Sequence, residues 1–209
     1  MTTQFITSVN DTLWQDYANL TVRSHSKEPR IYWQDLDTKP LWNTWRDYHS
    51  TKVKQDALKH QWERFSHKAE AQIELLREYN SYDYVVWIDA DVVQVKGYTE
   101  EWLQAQMPTQ DQLCNYIGRI KWPETGWIAY NMHHPRLWEF VDMFEQIYLS
   151  NRIFELEQWH DAFVWDYVMK LGEFPRHSIT RPHSSKFCSF ESTPIGEVFE
   201  HRKGRRKWN

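Results

Sequence analysis

The stretch of sequence that decides the fold is Tyr84-Val85-Val86-Trp87-Ile88-Asp89-Ala90-Asp91-Val92-Val93. An apolar run leads directly into two aspartates that are spaced one residue apart. Such a run predicts a strand that is buried on both faces of a sheet. The aspartates then follow the carboxyl end of this strand, which is where open α/β sheets bind their ligands.

Two carboxylates placed so close together repel each other unless a positive charge lies between them. A divalent cation that carries a phosphorylated ligand meets this need, because oxygen ligands suit hard cations such as Mn²⁺ or Mg²⁺. The alternative interpretation is that Asp89 and Asp91 only cap a loop, since an isolated D-x-D is a weak signal. Its position directly after a buried strand favours metal binding.

Length, charge and cysteine content limit the class of protein. A chain of 209 residues predicts one domain with a sizeable core. The net charge of −4 argues against binding nucleic acid through overall charge, although residues 201–207 are strongly basic. Cys114 and Cys188 do not make a disulfide framework, so we expect reduced thiols and a cytoplasmic location. The sequence shows no signal peptide and no apolar run that would span a bilayer.

The order of the predicted elements indicates an α/β fold. Strands are predicted at residues 4–9, 30–33, 84–88, 113–120 and 126–131. Helices are predicted to begin at Asn10 and Pro135, and to cover residues 52–79, 99–105 and 161–169. The first half reads β-α-β-α-β, which is typical of a mostly parallel central sheet flanked by helices. From Pro175 onward we expect loops.

A second motif lies near the end of the chain, where His201, Gly204 and Lys207 form the pattern H-x-x-G-x-x-K. A neutral imidazole can complete a metal site that carboxylates begin. A glycine lets the backbone approach a phosphate closely, and a lysine can neutralise a leaving phosphate. Taken alone, the motif favours another interpretation, a solvated basic tail or a patch that touches nucleic acid or acidic lipid.

Taken together, the D-x-D and the H-x-x-G-x-x-K resemble the GT-A glycosyltransferases, in detail the retaining branch that contains glycogenin and the bacterial lipopolysaccharide galactosyltransferases. The resemblance implies a Rossmann-like GT-A domain over residues 1–209, with a nucleotide-binding half (1–110), an acceptor-side half (111–200) and a tail (201–209) that closes on the donor. It implies that Asp89, Asp91 and His201 hold Mn²⁺, and the ion holds the diphosphate of a UDP-sugar. Gly204 and Lys207 would contact the phosphates. The family's usual proline after the lysine is absent, and Trp208 stands there.

Three further matches extend this resemblance. The segment 5–10 is similar to the family's first strand and nucleotide-binding turn, which makes Thr7 and Asn10 expected nucleoside contacts. The segment 64–68 lies where the family places a basic residue against the donor sugar and diphosphate, and Lys68 is the better match. The strand 126–131 resembles the one that lines the acceptor side, with Asn131 near the reacting sugar.

The last match is Trp159-His160-Asp161, which resembles the W-H-D-E box of the blood-group type α-1,3 glycosyltransferases. Ala162 stands where that family has its glutamate, so a covalent mechanism through this position is excluded. Asp161 would contact the donor sugar or stabilise positive charge. The alternative is that Asp161 only caps the helix that follows.

The sequence therefore predicts a metal-dependent glycosyltransferase that moves a sugar from a nucleotide-sugar to a hydroxyl of a glycan or other acceptor, with retention. Two alternatives stay open. A haloacid-dehalogenase type phosphatase also carries aspartates after a strand, but usually the first strand, with a later acidic pair that does not stand out here. A non-catalytic sugar- or nucleotide-binding protein fits Ala162 and the 13 tryptophans.

Overall fold

The computed structural model describes residues 1–34, 62–180 and 190–202. Six strands form the central sheet, in the order β2-β1-β3-β6-β5-β7. They are β1 (Thr3–Val9), β2 (Arg30–Trp33), β3 (Tyr84–Ile88), β5 (Cys114–Ile117), β6 (Glu124–Asn131) and β7 (Arg176–Ser178). A second, two-stranded sheet pairs β4 (Val92–Gln94) with β8 (Phe199–His201).

The described residues also form six α-helices and several shorter turns. The helices are α1 (Asp11–Leu13), α2 (Asn19–Ser24), α3 (Trp62–Glu78), α4 (Glu100–Gln104), α5 (Leu137–Leu149) and α6 (Asp161–Leu171). A π-helical stretch, Trp14–Ala18, lies between α1 and α2. Single turns of 3₁₀-helix cover Arg152–Glu155, Phe190–Ser192 and Pro194–Glu197. In the described part of the chain, no helix has the length and apolar character needed to cross a membrane.

The strand in front of the two aspartates is buried on both of its faces, as its composition predicts. Val85 and Trp87 point into a core formed with α3, α5 and α6. Val86 and Ile88 point to the other face, where the core includes Leu103 of α4 and Phe199 of β8. Alternate residues of one strand thus contact two separate layers, which makes β3 the centre of the molecule.

The central sheet is mostly parallel, with one strand reversed. β1 runs parallel to both β2 and β3, whereas β6 is antiparallel to its neighbours β3 and β5, and β7 is parallel to β5. Five strands therefore share one direction. The reversal brings the first residues of β6, not the last, to the edge where β1 and β3 end.

The prediction of loops beyond Pro175 is wrong for two short segments. Residues 176–178 add β7 to the outer edge of the central sheet, beside β5. Residues 199–201 form β8, in which His201 lies opposite Val92 of β4. Strands of three residues carry too little periodicity to be recognised in the sequence.

Candidate active site

The two aspartates lie in a turn that connects the two sheets. β3 ends at Ile88 and β4 begins at Val92, and the amide of Val92 donates to the carbonyl oxygen of Asp89 at 2.9 Å. The amide of Asp89 in turn donates to the carbonyl oxygen of Gly126 in β6 at 3.0 Å. The D-x-D is thus fixed by backbone hydrogen bonds at the edge of the central sheet.

His201 reaches the same turn through the second sheet. Its Nε2 lies 2.9 Å from Oδ1 of Asp91 and 3.8 Å from Oδ2 of Asp89. The amide of the next residue, Arg202, donates to the carbonyl oxygen of Asp91 at 2.9 Å. The two aspartates and the distant His201, which the family resemblance implies as metal ligands, therefore lie together.

Glu124, at the first position of β6, adds another carboxylate to this group. Asp89, Glu124 and His201 offer ligand atoms that all lie within 4.8 Å of one another. Carboxylate oxygens with one imidazole nitrogen make a mixed donor set that suits Mn²⁺, and the oxygens also suit Mg²⁺. The chemistry of the residues present therefore fits a divalent cation.

Lys68 connects the D-x-D to the helix α6. Its Nζ lies 2.7 Å from Oδ1 of Asp89 and 2.7 Å from Oδ2 of Asp161. The same ammonium donates to the carbonyl oxygen of Thr125 at 2.9 Å, and the hydroxyl of Thr125 donates to Asp161 at 2.5 Å. One cation is thus shared by two carboxylates in a largely buried position.

The charges in this group stabilise one another. Burial alone would lower the pKa of Lys68, but the charges of Asp161 and Asp89 outweigh it and hold that pKa above its ordinary value. For Asp161, burial would raise the pKa, but the charge and hydrogen bond of Lys68, helped by Thr125, hold it well below its ordinary value. Both groups are therefore ionised at neutral pH.

Asp161 is not the cap of α6. The capping residue is His160, whose Nδ1 accepts a hydrogen bond from the amide of Phe163 at 3.1 Å. Burial lowers the pKa of His160, which favours the neutral ring that such a cap requires. Asp161 directs its carboxylate to Lys68 and Thr125 instead, so the alternative interpretation of Asp161 as a cap is wrong.

Asn131 is not brought to this site. It pairs with Tyr84, the first residue of β3, whereas Asp89 follows the last residue of that strand. Its side-chain amide donates to the carbonyl oxygens of Thr109 and Gln112, both at 3.3 Å, which fastens a loop. The physical reason is the reversed direction of β6, which places the end of this strand at the opposite edge of the sheet.

The remaining predicted residues are placed as follows. Asn10 follows β1 at the edge where Asp89 follows β3, and its side chain accepts a hydrogen bond from the amide of Leu13 at 2.9 Å. Thr7 is buried in β1, and its hydroxyl has no hydrogen-bond partner within the described part of the chain. Gly204 and Lys207 lie outside the described residues.

Sequence reasoning missed Glu124, Thr125 and Gly126, which form the start of β6. The resemblance of the strand 126–131 to an acceptor-side strand points to its last residue, Asn131, and not to its start. The antiparallel direction of β6 brings these three residues to the aspartates, and no local pattern in the sequence indicates that direction.

Comparison with solved structures finds glycosyltransferases among the proteins whose fold is similar to that of this chain. The chain is similar to a glycosyltransferase involved in the glycosylation of the major capsid of PBCV-1, with a TM-score of 0.58, 13% identity and coverage of 99% of this chain and 96% of that one. It is also similar to an active-site mutant of LgtC, with a TM-score of 0.54, 12% identity and coverage of 96% and 87%. The chain has the GT-A glycosyltransferase fold.

A third similar structure is the glycosyltransferase GlyE of Streptococcus pneumoniae TIGR4, with a TM-score of 0.55 and 12% identity. The match covers 100% of this chain but 56% of GlyE, so the present chain corresponds to about half of that protein. No protein-family model matches the sequence, and no curated protein matches it. At these identities the similarity concerns the fold.

Proposed function

We propose that this protein is a metal-dependent glycosyltransferase that transfers a sugar from a nucleotide-sugar, specifically a UDP-sugar, to a hydroxyl group of an acceptor. The observation that carries the proposal is the meeting of Asp89, Asp91 and His201 at the carboxyl edge of a GT-A sheet. The similar structures that are named glycosyltransferases support it at the level of the fold.

In this proposal Asp89, Asp91 and His201 hold Mn²⁺ or Mg²⁺. A bound divalent cation supplies positive charge that neutralises the diphosphate of the donor. Lys207 and Gly204, from the motif that begins at His201, contact the phosphates. Asn10, at the adjacent strand end, contacts the nucleoside.

The sugar lies beside Asp161 in this proposal. Lys68 keeps the Asp161 carboxylate ionised, and Thr125 holds it in place through a hydrogen bond of 2.5 Å. A fixed anion at this position stabilises the positive charge that develops on the sugar ring as the bond to the diphosphate breaks. Lys68 acts through Asp161 and Asp89 as a positioning residue, since both carboxylates share its ammonium.

Retention of the anomeric configuration is part of the proposal. Ala162 offers no carboxylate for a covalent intermediate, and the side chain of Asp161 is engaged by Lys68. The acceptor hydroxyl would therefore attack on the face from which UDP departs, and the leaving diphosphate would take up the proton of the hydroxyl. The anomeric configuration of the product distinguishes this route from direct inversion.

The test is an assay of nucleotide release across a panel of UDP-, GDP- and CMP-sugars, with Mn²⁺, with Mg²⁺ and with a chelator. We expect metal-dependent release of UDP from one or a few of the donors. No acceptor needs to be added, because water can act as a slow acceptor in such a site. The variant Asp91→Ala serves as the inactive control. Absence of nucleotide release from every donor in the presence of Mn²⁺ would contradict the proposal.

A further inference from the structure

Glu124 lies beside the imidazole ring of His201, next to its Nδ1 atom. The Nε2 atom of His201 faces the aspartates, at 2.9 Å from Asp91. The Nδ1 atom faces the other way, and Oε1 of Glu124 lies 3.7 Å from it. The two side chains are 6% and 7% exposed, so the contact is removed from solvent.

The Nδ1 atom of His201 is buried and has no hydrogen-bond partner among the described residues. A buried ring nitrogen without a partner is costly, so it points to a group that completes its hydrogen bonding in the working protein. The Glu124 carboxylate needs to approach by less than about 1 Å to reach ordinary hydrogen-bond distance.

The Glu124 carboxylate is itself held in position. Its Oε1 accepts a hydrogen bond from the amide of Gly126 at 3.2 Å, and its Oε2 contacts the guanidinium of Arg119. Gly126 also leaves the room that the imidazole needs, since a Cβ at this position would lie 2.8 Å from Nδ1 of His201. The start of β6 therefore forms a fixed cradle for one side of the ring.

We propose that Glu124 is a positioning residue of the metal site: it accepts a hydrogen bond from the Nδ1–H of His201 and so directs the lone pair of Nε2 toward Asp89 and Asp91. This inference rests on the metal-dependent function proposed above. A carboxylate that receives the second N–H of a metal-binding histidine fixes both the tautomer and the orientation of the ring.

The experiment measures Mn²⁺ binding to the full chain in the presence of UDP, from the electron paramagnetic resonance signal of free Mn²⁺. We expect E124A to weaken Mn²⁺ affinity by about 10- to 100-fold, the usual cost of removing such a partner. E124Q retains an acceptor oxygen and should lose less Mn²⁺ affinity than E124A. The matched control is E200Q. Glu200 is the exposed neighbour of His201 and pairs with Arg202. This variant also removes one charge, and it should bind Mn²⁺ as the wild type does.

A second measurement tests the hydrogen bond directly. Long-range ¹H–¹⁵N spectra of histidine-labelled protein with Mg²⁺ and UDP should show His201 with its proton on Nδ1, with the signal assigned by its loss in H201Q. Wild-type Mn²⁺ affinity in both E124A and E124Q, or a proton on Nε2, would overturn the inference. A wild-type protein that binds UDP without taking up Mn²⁺ would overturn the proposed function as well, so the two failures are distinguishable.

Discussion

The ammonium nitrogen of Lys68 lies 2.7 Å from a carboxylate oxygen of Asp161, which joins the helix before β3 to the first residue of α6. The same nitrogen lies 2.7 Å from Asp89 in the D-x-D turn. The positive charge of Lys68 is thus shared between the proposed metal site and the proposed sugar site. The two sites are therefore coupled electrostatically before any ligand binds.

Replacing Lys68 by methionine should destabilise the fold strongly. The change leaves two carboxylates without their shared cation in a largely buried position, and breaking a buried pair in this way costs about 3–5 kcal/mol. The free energy of unfolding in urea is the measurement. The control is Lys170→Met, because Lys170 also lies 2.7 Å from an aspartate but its side chain is 66% exposed, so its loss should cost under about 1 kcal/mol. Equal losses in the two variants would show that the buried pair contributes little.

The stability of the protein should fall in acid because of Asp161. The pKa of this carboxyl is lowered in the folded protein, mainly because the charge of Lys68 outweighs the effect of burial. As the pH falls through about 4, the unfolded chain takes up the proton before the folded protein does. The contribution of the pair is therefore complete near neutral pH and is lost progressively at lower pH. The free energy of unfolding, measured in urea at a series of pH values, should fall less steeply toward acid in Asp161→Asn than in the wild type. Parallel curves for the two proteins would contradict this.

The sequence predicted most of the architecture because the responsible patterns are local. The apolar run before Asp89 predicts a strand that is buried on both faces, which is what β3 is. The apolar residues at helical spacing in 137–148 predict a helix, and they are buried in α5. The order of strands in the sheet is not local. The position of β6 between β3 and β5, and its reversed direction, depend on how the layers pack, which no single segment reveals.

The same distinction explains the site. Asp89, Asp91 and His201 could be named because the D-x-D and the H-x-x-G-x-x-K together resemble motifs of the GT-A glycosyltransferases. Glu124 and Thr125 could not be named without the direction of β6. The resemblance of the strand 126–131 to an acceptor-side strand puts Asn131 near the reacting sugar, whereas the reversed direction of β6 places it at the opposite edge of the sheet. The contact of Lys68 with Asp161 depends on the packing of α3 and α6 on the same face of the sheet, so the sequence indicates the two residues separately but not their pairing.

Replacing Asp91 by alanine should abolish metal-dependent binding of UDP. The carboxylate lies 2.9 Å from Nε2 of His201, so its loss removes one of the three proposed ligands and the partner that faces the ring. Calorimetry with UDP, with and without Mn²⁺, measures the effect. The control is Asp83→Ala, because Asp83 makes a similar contact of 3.0 Å with His133 at the opposite end of β3. Unchanged Mn²⁺-dependent affinity in Asp91→Ala would remove Asp91 from the metal site.

Replacing Gly126 by alanine should weaken metal binding without changing any charge. The added Cβ would lie 2.7 Å from Cε1 of His201 and 2.8 Å from its Nδ1, so the ring must move away from β6. Mn²⁺ affinity in the presence of UDP should therefore fall. Gly97→Ala is the matched control, since nothing lies within 4 Å of a Cβ at that position. If both alanine variants bound Mn²⁺ equally well, the orientation of His201 would not matter for the site.

Replacing Asp161 by asparagine should reduce turnover much more than it reduces affinity for UDP. The change keeps the size of the side chain but removes the anion that is proposed to face the sugar. The loss of such an electrostatic stabiliser costs on the order of 2–4 kcal/mol in the barrier, or roughly 30- to 1,000-fold in rate. Affinity for UDP should change little, because the proposed metal ligands and the tail hold the nucleotide. Steady-state turnover and calorimetry on the same variant provide both values.

The control for Asp161 lies on the same helix. Asp166 is also buried in α6 and also has cationic partners, with Lys170 at 2.7 Å and Arg176 at 2.8 Å. Its partners are not residues of the proposed site, so Asp166→Asn removes a comparable carboxylate without touching Lys68 or Asp89. We expect Asp166→Asn to lower stability while turnover stays near that of the wild type. An equal loss of turnover in the two variants would show that Asp161 acts through the stability of the helix, and near-normal turnover in Asp161→Asn would exclude it from the chemistry.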